Sequence, residues 1–142
     1  MPTYFSSEHY SSTPGPSFNF ENIPEKDLRL SLVTTPGKKN NLERYTPFST
    51  STADIIFFVY DITVQQTYDD LAEWIELATV PDTAVKVILG NKKDLGGQRK
   101  IDENQAKQFA DEQGALYFEV SAKENKSIQD CVQKLIQLRL GE

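Results

Sequence analysis

At 142 residues the chain is long enough to bury one ordinary core and too short for two. Apolar residues make up 38% and charged residues 25%, the proportions of a globular domain, and the net charge of -6 excludes a broad nucleic-acid surface or a polybasic membrane patch. Cys131 is the single cysteine, which excludes a disulfide framework and makes a reducing, cytoplasmic setting the expectation.

The first 17 residues are rich in Ser, Thr and Pro and read as loop, with Pro14-Gly15-Pro16 as strong punctuation. No basic region followed by an apolar core opens the chain, and no window approaches the ~18 apolar residues needed to span a bilayer. The final Leu140-Gly141-Glu142 has no prenylatable cysteine, so an intrinsic membrane anchor is not expected and any membrane visit would be by peripheral recruitment. Phe18 to Ile23 and Leu28 to Leu32 both alternate apolar with polar around Pro24-Glu25-Lys26-Asp27, which predicts an antiparallel hairpin with one buried face. From Thr34 to Thr52 the chain is polar and broken by Pro36, Gly37 and Pro47, and reads as a mobile segment.

Ile55 to Tyr60 is a continuous apolar run, which predicts a strand covered on both faces. Thr63 and Gln66 have capping-box spacing ahead of a helical stripe formed by Tyr68, Leu71, Trp74, Ile75 and Ala78, and Pro81-Asp82 ends it. Val85 to Gly90 reads as a second buried strand. Asp102 and Gln105 predict another capped helix, with Ala106, Phe109 and Ala110 inward and Gly114 as the stop. Leu116 to Val120 is the last strand, and Ile128, Cys131, Val132, Leu135 and Leu138 mark a closing helix. Strand alternating with helix from Ile55 onward demands a mainly parallel sheet with helices on its faces, whose ligands sit at the carboxyl ends of the strands.

Two polar motifs fall at those ends: Asn91-Lys92-Lys93-Asp94 after one strand, and Ser121-Ala122-Lys123 after the next. Either alone is an ordinary polar turn, but the pair at this spacing has the chemistry of a guanine reader. Guanine shows a ring N–H and an exocyclic amine on one edge, and the Asp94 carboxylate would accept from both. Asn91 would tie the two loops together, the stem of Lys92 would lie over the base, and the Ala122 N–H would donate to the base carbonyl. Adenine carries an amine at that carbonyl's position and would be rejected.

The stretches Ala53 to Thr63, Leu71 to Ile75, Gly90 to Leu95, Ala106 to Ala110 and Ser121 to Glu124 resemble a Rab-type member of the Ras superfamily of small GTPases. The resemblance implies an α/β fold of the small-GTPase, P-loop NTPase-like type: three layers, a mainly parallel sheet and an N-terminal antiparallel hairpin. It implies GTP or GDP with magnesium as ligands, and protein partners through a switch-like segment, residues 10 to 52. Upstream, Tyr10 to Gly15 resembles the first switch and would place Thr13 as the magnesium-binding threonine. Thr34-Thr35-Pro36-Gly37 resembles the start of the second switch, with Gly37 as its glycine.

The departures are specific. The phosphate-gripping pattern G-x-x-x-x-G-K-[ST] occurs nowhere in this sequence, nor do the family's first strand and nearly all of its first helix. Thr34 stands where the family has a magnesium-holding Asp, and Lys38, or Leu42 if the local insertion is placed differently, stands where it has the water-orienting Gln. Losing four charge-assisted hydrogen bonds to phosphate would remove ~6 to 12 kcal/mol, or roughly four to nine powers of ten in affinity. The expectation is therefore a pseudo-GTPase with weak or absent nucleotide and magnesium binding that acts through protein partners. Its rivals are a genuine GTPase whose P-loop segment is missing from this chain, and a nonfunctional fragment. No catalytic residue is assigned.

Overall fold

The computed structural model describes residues 17–35 and 51–141. The expectations placed on Thr13, Gly37, Lys38 and Leu42 fall outside them, as does most of the switch-like segment 10 to 52.

Strands β1 (Ser17–Ile23) and β2 (Leu28–Thr34) form the antiparallel hairpin, joined by a 3-10 turn at Pro24–Lys26 and closed by Asp27 in the left-handed region at φ 47°. The register pairs Ile23 with Leu28, Phe20 with Ser31 and Phe18 with Val33. Residues directly opposite one another share a face. Phe18, Phe20 and Val33 therefore lie on one side, and Leu28, Leu30 and Leu32 on the other. This corrects the expectation of a single buried face: the alternations of the two strands are out of phase, both sides carry apolar groups, and no residue from 18 to 34 is buried. The Arg29 guanidinium lies 4.2 Å from the centre of the Phe20 ring, a cation–π contact.

The second sheet contains β3 (Ile55–Asp61), β4 (Val85–Asn91) and β5 (Leu116–Glu119), parallel and in that order. No strand pairing among the described residues joins the hairpin to it. Among the described residues four α-helices follow the strands: α1 (Gln65–Asp69), α2 (Leu71–Leu77), α3 (Glu103–Glu112) and α4 (Asn125–Leu140). Because side chains alternate across a strand, Ile56, Phe58, Tyr60 and Ile88 share one face, where they pack with Leu71 of α2 and with Ala106 and Ala110 of α3. Val87 and Leu89 point to the other face, where Val120 and the α4 residues Cys131 and Leu135 cover them. Each large apolar side chain removed from water in these clusters contributes about 1.5–3 kcal/mol.

The coverage of β3 corrects a second expectation. Its even-numbered residues are buried, but Phe57 and Val59 on the opposite face are 37% and 53% exposed, the α4 cluster on that face taking in Ile55 alone of this strand. The strand is also the outer member of its sheet.

Of the four α-helices, α3 alone has a side-chain N-cap. Asp102 caps α3 by accepting from the Gln105 N–H at 3.1 Å, and Gly114 adopts φ 63° just beyond that helix. Thr63 does not cap α1, as its spacing predicted: its hydroxyl donates to Asp61 Oδ1 at 2.6 Å, and α1 begins after Val64 without a side-chain cap. Leu138, expected on the inner stripe of α4, is 55% exposed, whereas Ile136 is buried. No helix among the described residues is long and apolar enough to cross a membrane.

Candidate functional site

Three parallel strands end side by side, with Asp61 at the end of β3, Asn91 at the end of β4, and Glu119 at the end of β5. The register aligns Tyr60, Gly90 and Glu119 in one row and pairs Asp61 with Asn91 in the next. This is the edge at which parallel sheets receive ligands.

The turn after β4 and the turn after β5 are bonded to each other. Ser121, 1% exposed, donates its hydroxyl to Asp94 Oδ1 at 2.8 Å, and the Ala122 N–H donates to Asn91 Oδ1 at 3.0 Å. The Lys93 N–H donates to the Val120 carbonyl at 3.0 Å, and the Val120 N–H donates to the Gly90 carbonyl at 2.8 Å. Ser127 steadies the second turn, its hydroxyl accepting from the Ser121 N–H at 2.9 Å. The five residues Asn91, Lys92, Asp94, Ser121 and Ala122 are thus brought together. Lys123 follows as an exposed residue ahead of α4.

Asp94 keeps acceptor capacity for a ligand, since a carboxylate has about four lone-pair sites and Ser121 uses one. That hydrogen bond also sets the carboxylate's direction. Asn91 performs the bridging predicted for it. The Ala122 N–H, expected to donate to a base carbonyl, is directed here to Asn91 Oδ1.

Lys92 occupies the left-handed region at φ 67°, uncommon for a side-chain-bearing residue, and its ammonium lies 2.7 Å from Asp61 Oδ2. Asp61 also accepts from the Thr63 N–H at 2.8 Å and from the Thr63 hydroxyl. Burial pushes the Asp61 carboxyl up, but the hydrogen bonds from Lys92 and Thr63 outweigh it and hold the group below its ordinary value. The Asp61 partnership was not predicted, although its position at a strand end is the signal that could have drawn attention to it.

Beneath the turns lies a polar network. Arg99 makes two hydrogen bonds to the Glu119 carboxylate, 3.0 and 2.5 Å long, and donates to the Ile101 carbonyl at 3.1 Å. The Tyr117 hydroxyl donates to Glu119 Oε2 at 2.7 Å and meets the Tyr60 hydroxyl at 2.7 Å. The two tyrosines reach each other across β4 because the intervening residue is Gly90. A Cβ there would lie 3.0 Å from the Tyr60 hydroxyl oxygen and 3.1 Å from that of Tyr117. Burial raises Glu119, yet Arg99 and Tyr117 together pull its carboxyl below the ordinary range, while burial pushes the Tyr60 hydroxyl up to about 12 and raises Tyr117 as well. Nothing in the local sequence marks these residues: Arg99 and Glu119 are 20 apart and meet only in the fold.

Magnesium favours carboxylates together with phosphate oxygens. Thr34, at the end of β2, has no charge to offer, and no group of three or more His, Cys, Asp or Glu able to hold a metal occurs among the described residues.

A sequence profile of the Ras family matches residues 3–140. The chain is similar to Ras-related protein RabC of Dictyostelium discoideum, 28% identical over 137 residues that make up 92% of this chain and 69% of that protein. Similarity extends to Ras-related protein RABC1 of Arabidopsis thaliana, 31% identical over 80% of this chain and 55% of the relative. Ras-related protein Rab-1D of Dictyostelium discoideum is 32% identical over 84% of this chain and 60% of its own length. The chain therefore spans between about half and about two thirds of these relatives.

Proposed function

This chain belongs to the Ras family, and from that premise we propose that it is a Rab-like domain that keeps the base-recognising corner of a guanine-nucleotide site and works by binding proteins rather than by turning over GTP. The observation that carries the base reading is the coupling of the two turns: Ser121 aims the Asp94 carboxylate, and Asn91 fixes the backbone at Ala122. An acceptor held in one direction rewards a ligand edge with two adjacent donors and penalises one without them. Within the proposal, Asn91, Lys92, Asp94, Ser121, Ala122 and Lys123 form the guanine site.

Two substitutions support the loss of turnover. Thr34 replaces a charged magnesium ligand, and Lys38 or Leu42 replaces the residue that would orient water. Phosphoryl transfer depends almost wholly on positioned charge, so these changes act on the chemistry itself. The protein-binding role is supported by the exposed face of the hairpin, where Phe18, Phe20 and Val33 are 63%, 55% and 38% exposed.

Titration with a fluorescent GDP or GTP analogue, with and without magnesium, tests the proposal. Binding weaker than micromolar and indifferent to magnesium is expected. Tight, magnesium-dependent binding or release of phosphate would refute it in favour of a second reading, a GTP-hydrolysing member of the family. The match to only 55–69% of its relatives' lengths favours that reading if further chain belongs to the protein.

A further inference from the structure

The base-reading turn has little to hold it in place on its own. Every residue from Lys92 to Gln98 is exposed, the segment Lys93–Gln98 is 3-10 in character with Leu95 off helical geometry, and Gly96 and Gly97 add conformational freedom. Its rigidity must come from polar ties to the sheet. Lys92 is tied to Asp61 at the start of the turn, and Lys93 and Asp94 are tied to Val120 and Ser121 in its middle. At the exit the Lys100 N–H donates to the Ile62 carbonyl at 2.8 Å, and Arg99 provides the side-chain tie.

That last tie has the strongest geometry. Both guanidinium arms engage one carboxylate, which fixes distance and orientation together, and the Glu119 side chain is 4% exposed. Glu119 is further held by Tyr117, and Tyr117 by Tyr60, so the anchor is built into the sheet rather than attached to its surface. Glu119 is also followed directly by Val120 and Ser121, the residues that hold Lys93 and Asp94. One short piece of β5 and its exit therefore carries most of the ties on the turn.

We infer that Arg99, through its pair with Glu119, is the positioning residue of the base-reading turn, on which selection for guanine's exocyclic amine depends. The inference rests on the guanine reading above. It also makes a prediction about the turn itself, which holds whether or not a base is bound.

The test uses the full chain and two nucleosides, guanosine and inosine, which differ by that amine and carry no phosphate. Binding is followed by amide chemical shifts. The wild type is expected to prefer guanosine by about tenfold, the worth of one hydrogen bond to a charged acceptor. Arg99→Ala should bring that ratio close to one, and Arg99→Lys, which keeps the charge but cannot bridge both carboxylate oxygens, should fall between. Simple destabilisation would weaken both nucleosides alike and leave the ratio unchanged. Hydrogen exchange at the Lys93 and Ala122 amides should quicken about tenfold or more in Arg99→Ala, and should not change in Lys107→Ala, which breaks only the exposed ion pair with Glu103. Unchanged exchange in a folded Arg99→Ala, or a retained guanosine preference, overturns the inference. If Arg99→Ala does not fold, Arg99→Lys is held to the same two criteria. A wild type that shows no guanosine preference sinks the guanine reading instead, and the positioning role is then decided by the exchange rates alone.

Discussion

Gly90→Ala is the smallest change that probes the network under the site. The added methyl would sit 3.0 Å from the Tyr60 hydroxyl oxygen, 3.1 Å from an Ile62 methyl and 3.1 Å from the Tyr117 hydroxyl oxygen. Tyr60 and Ile62 are 2% and 0% exposed, so neither has solvent to move into. Overpacking of this kind costs about 1–3 kcal/mol, and parting the two tyrosine hydroxyls adds ~1 kcal/mol for the lost hydrogen bond. A total of about 2–4 kcal/mol corresponds to a fall in Tm of roughly 6–16 °C for a domain of this size. Urea melts of four proteins would measure it: wild type, Gly90→Ala, Tyr117→Phe and the double variant. In the wild-type background Tyr117→Phe should cost ~1 kcal/mol, but after Gly90→Ala it removes one of the colliding oxygens and should cost less or even stabilise. A coupling of at least ~1 kcal/mol is expected between the two sites. A Gly90→Ala protein within ~0.5 kcal/mol of wild type, or strictly additive costs, would show that Gly90 is not what lets the tyrosines meet.

Ser121→Ala removes the hydroxyl that aims Asp94 and that also accepts from the Glu124 N–H at 3.2 Å, so a loss of about 1–2 kcal/mol is expected, seen as a lower urea midpoint at unchanged slope. Glu119 and Asp61 are both held below their ordinary values of 4.5 and 3.8, which makes their contribution to stability complete above those values and lost as pH falls through the lower folded values. Melting midpoints should therefore hold steady from about pH 8 to 5 and drop below about 4.5, with Glu119→Gln showing a shallower acid decline. At the other extreme Tyr60, raised to about 12, favours the folded state below its ordinary 10 and ceases to do so as pH climbs between those values, so tyrosinate absorbance should appear together with unfolding over that range. Burial pushes the Cys131 thiol up to about 11, and thiol reagents at pH 8 should label it slowly in the native protein and quickly in urea; equal rates would place it outside the core.

Much of the second sheet was legible because its signals are local. Apolar runs of strand length, Asp102 three residues before Gln105, and Gly114 after the last helical turn act over a few neighbouring residues, and they placed β3, β4, β5 and α3 correctly. The misreadings share a different cause. Phe18 and Leu32 alternate properly within their own strands, but which face each occupies depends on a register that neither strand contains. Phe57 sits in a run as apolar as any in the chain, yet it is 37% exposed, since what covers it depends on packing between elements far apart in sequence. Thr63 has a capper's spacing, but Asp61 captures its hydroxyl first.

The candidate site divides along the same line. The sequence by itself determined which candidate residues reach the ligand edge of the sheet, because Asn91, Asp94 and Ser121 lie at or just beyond strand ends and parallel strands deliver such residues to one edge. The expected departures at Thr34 and at Lys38 or Leu42 rest likewise on residue identity alone. Only the tertiary structure decided how the reading residues are held: that the Ala122 N–H is taken by Asn91, that Lys92 is held by Asp61, and that Arg99 reaches Glu119 over two tyrosines that meet above a glycine. A hydrogen bond across 20 to 57 residues has no signature in the chain, since its existence depends on distances that only the packed sheet sets.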